Sequence, residues 1–483
     1  MNTISLTSML LWLTFGQSIH APSNDQTTVE APPNIVIVFT DDQGWGDLSC
    51  YDSEDIPTPN IDRLAQEGMR FLNFYTSQPV CSAARASLLT GCYANRLGIS
   101  GALVPSSKIG LHPEELTIAE VVKPLGYATA CYGKWHLGHH PQFLPTAQGF
   151  DEYCGIPYSN DMWPGHPESP KAWPPLPWYE QDKPARIIED LDDQEQITAE
   201  LTRRAVDFID RNAGNRFLLY VPHSMPHVPL ATTAKFRQTS RFGPYGDVIR
   251  EIDDSVGQII ATLEKHEILD ETLVIFTSDN GPWLSYGDHA GTTGGLREGK
   301  GTTFEGGVRV PFVARYPKVI PAGSQSTANC MTIDLLPTIV ELTGGKAPER
   351  KIDGISIANI LKSDDPSRHE TGRPLFFWYH RGNLEAMVWR KWKLHFPHRY
   401  RSLENREPGN NGIPAKYNYQ MQQPLSLYDL STDIAETTNV SEQNPEIMAR
   451  LLEMAAEARR QLGDGLTKSE GEENRRPGSI ESN

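Results

Sequence analysis

The run "NIVIVFT", Asn34 to Thr40, is apolar and β-branched without interruption, and it ends directly in two aspartates. A strand with one wet face alternates apolar and polar side chains. A run apolar at nearly every position needs cover on both faces, which is the condition of a strand inside a parallel sheet. "ATACYG", "RFLLYVP" and "TLVIFTSDNG" repeat the pattern, and "FLNFYTS" reads as a further strand. Between them lie helical segments. "TPNIDRLAQEGMRF" offers Thr58 as N-cap, Pro59 in the first turn, Ile61, Leu64 and Ala65 on one face, and Gly68 as its end. "TIAEVVKPLGY" closes at Gly126, "EQITAELTRRAVDFIDRN" follows, and Val248, Ile252, Val256, Ile259, Ile260 and Leu263 recur at helical spacing. Strand alternating with helix predicts the α/β class: a large mixed, mostly parallel sheet sandwiched by helices. Ligands of such sheets sit at the carboxyl ends of the strands.

Two of those ends carry oxygen donors: Asp41 and Asp42 after one strand, Asp279 and Asn280 after another. Taken singly, "DD" and "DN" are ordinary turn residues. Brought to one sheet edge, the four form a hard oxygen set suited to Ca²⁺ or Mg²⁺ rather than zinc or copper.

From about Pro374 the pattern changes to aromatic, alternating pieces, "PLFFWYH", "AMVWRKWKLHF" and "PLSLYDL", followed by the amphipathic "NPEIMARLLEMAAEARRQLG" with Asn444 as cap. This predicts a smaller C-terminal subdomain, an antiparallel sheet plus a helix. The expected division is a signal peptide over 1–21, a catalytic domain over 30–372, the subdomain over 373–463, and a polar, disordered tail over 464–483. A chain of 483 residues is long enough for one large domain and a smaller one.

The formal net charge of -17 argues against a general nucleic-acid binder, because phosphate neutralisation supplies most of that affinity. An anionic small substrate would need a local cationic pocket. Met9 to Phe15 form an apolar run too short to span a bilayer and followed by polar sequence, which reads as a secretory signal. No other segment reaches spanning length, so a secreted or periplasmic protein is expected. The six cysteines are too scattered for a disulfide scaffold, and none forms a C-x-x-C pair.

Nine stretches, in order, resemble the sulfatases, specifically the arylsulfatase A-like branch of the alkaline phosphatase superfamily: "NIVIVFTDDQGWGDL", "TPNIDRLAQEGMRF", "CSAARASLLTG", "GYATACYGKWHLG", "GIPYSNDM", "HSMPHVP", "TLVIFTSDNGP", "GKGTTFEGGVRVP" and "LYDLSTDIAETTN". The resemblance implies an alkaline phosphatase-like fold and a sulfuric ester hydrolase acting on a sulfated carbohydrate or an aryl sulfate. It also implies that Cys81 is oxidised to Cα-formylglycine, whose hydrate is the nucleophile, by a formylglycine-generating maturation enzyme. The family pattern is C-x-P-x-R, with C-x-A-x-R as an alternative; Ala83 stands at the third position here.

Carried over by motif, Asp41, Asp42, Asp279 and Asn280 resemble calcium ligands. Arg85 and Lys134 are expected to hold the diol, and His136 to take the proton that expels sulfate from the sulfated diol. His227 and Lys300 resemble the groups that bind sulfate and protonate the leaving oxygen, and Ser159 a further sulfate contact. Sulfate monoesters repel nucleophiles and have a poor leaving group, so charge neutralisation, a fixed nucleophile and a proton donor are what the chemistry needs. His223, Glu305 and Arg309 read as structural. For the rest of the substrate, the cationic and aromatic stretch "VWRKWKLHFPHRYR" offers Arg399 and Arg401, while the irregular insertion Asp161 to Glu180 could form a pocket rim. Two rival readings remain: a phosphodiesterase or phosphonate monoester hydrolase of the same superfamily, and an inactive carbohydrate-binding homologue that keeps Cys81 as a thiol.

Overall fold

The computed structural model describes residue 1 and residues 31–480; after residue 1, the expected signal segment 1–21 lies outside the described residues. From Pro33 onward the chain forms one compact unit. Its main sheet contains β1 (Asn34–Thr40), β2 (Met69–Phe71), β3 (Ala128–Tyr132), β4 (Glu152–Gly155), β5 (Leu176–Glu180), β6 (Lys183–Ile188), β7 (Phe217–Pro222), β8 (Thr272–Ser278), β9 (Phe312–Arg315) and β10 (Ser324–Ser326). The spatial order is β10-β2-β9-β8-β1-β7-β3-β4-β5-β6. The five central strands, β8 to β4, are parallel, and the flanks add antiparallel pairs.

The apolar run of β1 is explained by its two neighbours and its two covered faces: all seven residues are buried. Ile35, Ile37 and Phe39 face one core, shared with Ala86, Leu88 and Leu89 of α2 (Cys81–Thr90) and Leu336 and Ile339 of Leu335–Thr343. Val36 and Val38 face the other, with Ile61 and Leu64 of α1 (Pro59–Glu67), Leu201 and Ala205 of α3 (Ile197–Asn212), and Val248, Ile252 and Val256 of α4 (Gly243–Lys265). Each fully buried Val, Leu or Ile contributes roughly 1.5–3 kcal/mol by leaving water. These two cores hold the carboxyl ends of β1 and β8 rigidly side by side, with Thr40 opposite Ser278.

The C-terminal region contains a four-stranded antiparallel sheet: β11 (Leu375–Tyr379), β12 (Asn383–Trp389), β13 (Trp392–His395) and β14 (Ser426–Asp429), covered by α5 (Pro445–Leu462) through Leu451 and Ala455. The residue 372/373 boundary marks a change of sheet, within the single unit that starts at Pro33.

Several expectations are corrected. "FLNFYTS" does not form one strand: β2 stops at Phe71, and Phe74–Tyr75 pairs with a different partner, Cys330–Met331. The reason lies outside the segment, since Arg309 Nε takes the Leu72 carbonyl at 2.7 Å. Thr58 occupies the N-cap position of α1 without capping it; the amides of Asn60 and Ile61 donate instead to the Asp253 carboxylate on α4, at 3.0 and 2.9 Å. Asn444 likewise precedes α5 without a side-chain cap, its amide donating to the Val440 carbonyl. The tail expected to be disordered is ordered through residue 480: Arg475 donates its amide to the Arg96 carbonyl, and Gly478–Ser479 pairs with Ile109–Gly110. Its charges are matched by charges on the body, as in Arg96 with Glu473 at 2.9 Å, which local composition does not reveal.

Candidate active site

Where β1 and β8 end, the chain turns sharply. Asp42 adopts a positive φ of 64°, and its amide donates to Asp279 Oδ1 at 3.1 Å. Asn280 Nδ2 donates to Asp42 Oδ1 at 2.7 Å. A non-glycine residue in this left-handed region costs about 1–3 kcal/mol and persists only where surroundings over-determine it. His136, at φ 61°, is a second such residue in the same site. Asp41, Asp42, Asp279 and Asn280 thus meet as the sequence pattern predicts, all buried.

Cys81 opens α2 and faces them, its thiol donating to Asp41 Oδ1 at 3.4 Å. Burial and the Asp41 charge push that thiol far up from its ordinary range. It is therefore protonated at neutral pH and a poor nucleophile as a thiol. One turn along, Arg85 donates to Asp279 Oδ2 at 2.8 Å and to the Lys134 carbonyl at 3.0 Å. Lys134 donates to Asp41 Oδ2 and to Ser159 Oγ, the latter at 3.0 Å. Burial alone would raise the Asp41 carboxyl, but Lys134, His227, Arg85 and Lys300 outweigh it and hold Asp41 well below the usual carboxylate range. Asp279 goes the other way, pushed up to about 7 by burial and by its neighbour Asp41. Two carboxylates this close in a dry site resist simultaneous ionisation.

His136 hydrogen-bonds the Leu103 carbonyl through Nε2 at 2.7 Å. A carbonyl only accepts, so Nε2 carries the proton and Nδ1 presents a lone pair, buried and without a partner. Burial and Lys134 keep this ring neutral. His227 lies between the cis peptides Met225–Pro226 and Val228–Pro229; its Nδ1 bonds the Val228 carbonyl at 2.6 Å, and its Nε2 lies 3.5 Å from Asp42 Oδ2. Lys300 Nζ donates to Asp42 Oδ2 at 2.8 Å and rests 4.3 Å from the centroid of the Trp283 ring. Burial would lower the Lys300 ammonium, but Asp42 outweighs it and holds the group firmly protonated.

Cys81, His136, Ser159, His227 and Lys300 line one cavity of about 190 Å³, with Trp283, Tyr379, Asp161 and Arg401 on its remaining walls. Sequence reasoning missed Trp283 and Tyr379. Trp283 follows "DNGP" at a strand's carboxyl end and was findable by that rule; Tyr379 carries no local signal. Of the flagged cationic stretch, Arg401 reaches the cavity and Arg399 is exposed elsewhere. The start of that stretch is the turn of a hairpin, on whose second strand Lys393 is buried against Glu305 at 2.8 Å. Glu305 and Arg309 fix the loop, as their structural reading holds, and His223 bonds Ser255 within the core. The insertion from Asp161 onward contributes Asp161 and Met162 to the cavity.

A divalent cation is tested by the donors themselves. Asn280 Oδ1 is buried with no hydrogen-bond partner. Ligand atoms of Asp41, Asp42, Cys81 and His227 lie within 4.8 Å of one another, with Asp279 bonded to the Asp42 amide beside them. An orphaned carbonyl oxygen among three carboxylates fits a hard cation of the Ca²⁺ or Mg²⁺ kind.

Fold and site together define a protein of the α/β class with its candidate site at the carboxyl edge of the parallel strands. The sequence matches the sulfatase family over residues 33–345 and the C-terminal region of aryl-sulfatase over residues 369–476. It is 37% identical to arylsulfatase A of Homo sapiens over 88% of this chain and 87% of that one. It is 39% identical to the N-acetylgalactosamine-6-sulfatase of Sus scrofa over 77% of this chain and 73% of that one. Among solved structures it resembles the PsFucS1 sulfatase from Pseudoalteromonas sp., with a TM-score of 0.77, 27% identity and coverage of 88% and 91%. The chain belongs to the sulfatase family and is a sulfuric ester hydrolase.

Proposed function

We propose that the protein is a calcium-dependent sulfatase that removes sulfate from a sulfated carbohydrate through the hydrate of a formylglycine formed at Cys81. The observation that carries this reading is Cys81 itself: a buried, protonated thiol at a helix N-terminus, facing a carboxylate cluster and ringed by three cations. A thiol so placed is inert, whereas an aldehyde hydrate there supplies hydroxyls against an anion site. The sugar preference draws support from the likeness to an N-acetylgalactosamine-6-sulfatase.

When bound at Asp41, Asp42, Asp279 and Asn280, the cation supplies positive charge against the sulfate oxygens and favours ionisation of the nucleophile. The chain's own groups do the rest. Arg85 and Lys134, fixed by Asp279 and Asp41, orient the Cys81 side chain. Lys300, held protonated above the cavity, gives its proton to the leaving oxygen as the S–O bond breaks. His227 donates to sulfate once it takes up a second proton, which an arriving anion favours. Ser159, tethered to Lys134, adds a neutral donor. His136 Nδ1, free and unprotonated, accepts the proton whose loss expels sulfate and restores the aldehyde. We place the protein outside the cytosol on the strength of its N-terminal apolar run. The C-x-A-x-R motif at Cys81 makes a formylglycine-generating enzyme its maturation partner. Among the described residues no helix is long and apolar enough to cross a membrane.

Mass spectrometry of the peptide bearing residue 81, from protein made in its natural host, is expected to show the aldehyde. Cys81→Ala is expected to lower sulfate release from 4-nitrophenyl sulfate by at least about 10⁴-fold while leaving the ester bound. A wholly unmodified Cys81 would mark a binding homologue without turnover. Faster release from 4-nitrophenyl phosphate than from the sulfate would overturn the substrate class.

A further inference from the structure

Three of the cations near Cys81 are matched by carboxylates: Arg85 by Asp279, Lys134 by Asp41 and Lys300 by Asp42. Arg401, in the strand His398–Ser402, lines the same cavity and is not. Among the described residues no carboxylate comes within ion-pair distance of its guanidinium, and Nη1 has no hydrogen-bond partner. Glu298, the nearby acid, accepts from Ser402 Oγ at 2.6 Å and feels the Arg401 charge without contacting it.

The guanidinium is nevertheless held in one place. Nε donates to the Lys300 carbonyl at 3.2 Å, and Nη2 donates to the same oxygen. Its Cζ lies 4.4 Å from the centroid of the Tyr417 ring. Gly301, at φ 76°, leaves the room: a Cβ there would fall 2.3 Å from Arg401 Nη2. A half-buried guanidinium, immobilised and without an ion-pair contact, is a preorganised anion receptor whose ordering cost is met before a ligand arrives. Lys300 joins Arg401 to the carboxylate cluster, since its side chain reaches Asp42 and its carbonyl fixes Arg401.

We propose that Arg401 binds a second anionic group of the substrate, a sulfate or a carboxylate carried close to the scissile sulfate, and so selects polyanionic saccharides over monosulfated ones. This rests on the sulfatase reading above. The anion accepts hydrogen bonds from Nη1 and Nη2 while Nε keeps the Lys300 carbonyl.

The test measures sulfate release by the mature full-length protein from a panel of hexose and hexosamine monosulfates, each beside its disulfate, with 4-nitrophenyl sulfate as reference. Loss of a charge-assisted pair corresponds to roughly 10- to 100-fold, so wild type is expected to favour the disulfate of a pair by that factor in kcat/KM. Arg401→Gln should reduce the preference to within about 3-fold, chiefly through KM. Arg401→Lys, which keeps the charge and loses the planar fork, should retain part of it. An equal fall on both members of a pair would reduce Arg401 to a support for Lys300 and overturn the proposal. So would a wild type with no preference, or one that hydrolyses the aryl sulfate and no saccharide. If protein carrying the aldehyde at position 81 releases sulfate from nothing in the set, the sulfatase reading falls and takes this inference with it.

Discussion

At the scale of single residues, burial sets the protonation of two facing groups in the C-terminal region, Glu385 and His398. Glu385 is buried, with Oε2 accepting from Thr303 Oγ1 at 3.3 Å and the Asn383 side chain beside the carboxyl. Burial raises its carboxyl from 4.5 to about 8, while burial pushes the facing His398 down to about 4. At neutral pH the contact between them, 3.7 Å, joins a neutral acid to a neutral imidazole and is no ion pair. Because the folded state prefers protonated Glu385, this group's contribution to stability is fully present below about pH 4.5 and is lost as pH rises through 8. Glu385→Gln should therefore flatten the fall in stability between pH 5 and 8, on the order of a few kcal/mol. Chemical denaturation of both proteins across that range measures it; parallel curves would show that Glu385 is ionised in the fold.

At the scale of elements, the sequence marks where helices begin better than it marks what stabilises them. Thr58 and Pro59 announce α1 correctly, yet the cap comes from Asp253, almost two hundred positions away, on α4. That carboxylate is shared among Asn60 and Ile61 amides and the Asn60 side chain, and burial raises it to about 6. Asp253→Ala removes the acceptor and leaves the amides of half-buried Asn60 and buried Ile61 unpaired, at a cost of about 1–3 kcal/mol. Thr58→Ala should cost less, since its hydroxyl bonds Ser49 and Asp62 rather than the helix amides. Urea denaturation of the two variants ranks them; a larger loss for Thr58→Ala would reverse the assignment. The same distinction explains the misread "FLNFYTS" stretch, whose strand pattern is interrupted at Leu72 by Arg309 from a distant segment.

At the scale of the whole molecule, the tail binds the body together. Arg96 is buried between Asp353 at 2.7 Å and Glu473 at 2.9 Å, and Asp464 accepts the Leu384 amide while pairing with Arg459. Deleting residues 471–483 uncovers Arg96 and unpairs Gly478–Ser479 from Ile109–Gly110. Glu473 is itself partly exposed and Arg96 keeps Asp353, so losing this pair alone costs about 1 kcal/mol, with the lost strand pairing added to it. The truncated protein is expected to melt several degrees lower in a thermal scan, while an unchanged Tm would make the tail a passenger.

The sequence by itself determined the α/β alternation and pointed to the groups that meet at the candidate site, because each of them belongs to a short segment with its own signature. Asp41 and Asp279 end apolar runs, Cys81 opens a helix, and His136 and Lys300 sit in glycine-bounded turns. Only the tertiary structure decided what those groups do to one another. The Arg85–Asp279 pair, the free Nδ1 of His136, the trans cap by Asp253, the ordered tail and the unpaired Arg401 all join segments far apart in the chain. Local pattern records a residue's own backbone and burial preference. A protonation state or a hydrogen bond depends on partners that arrive only when the sheet brings distant strands to a common edge.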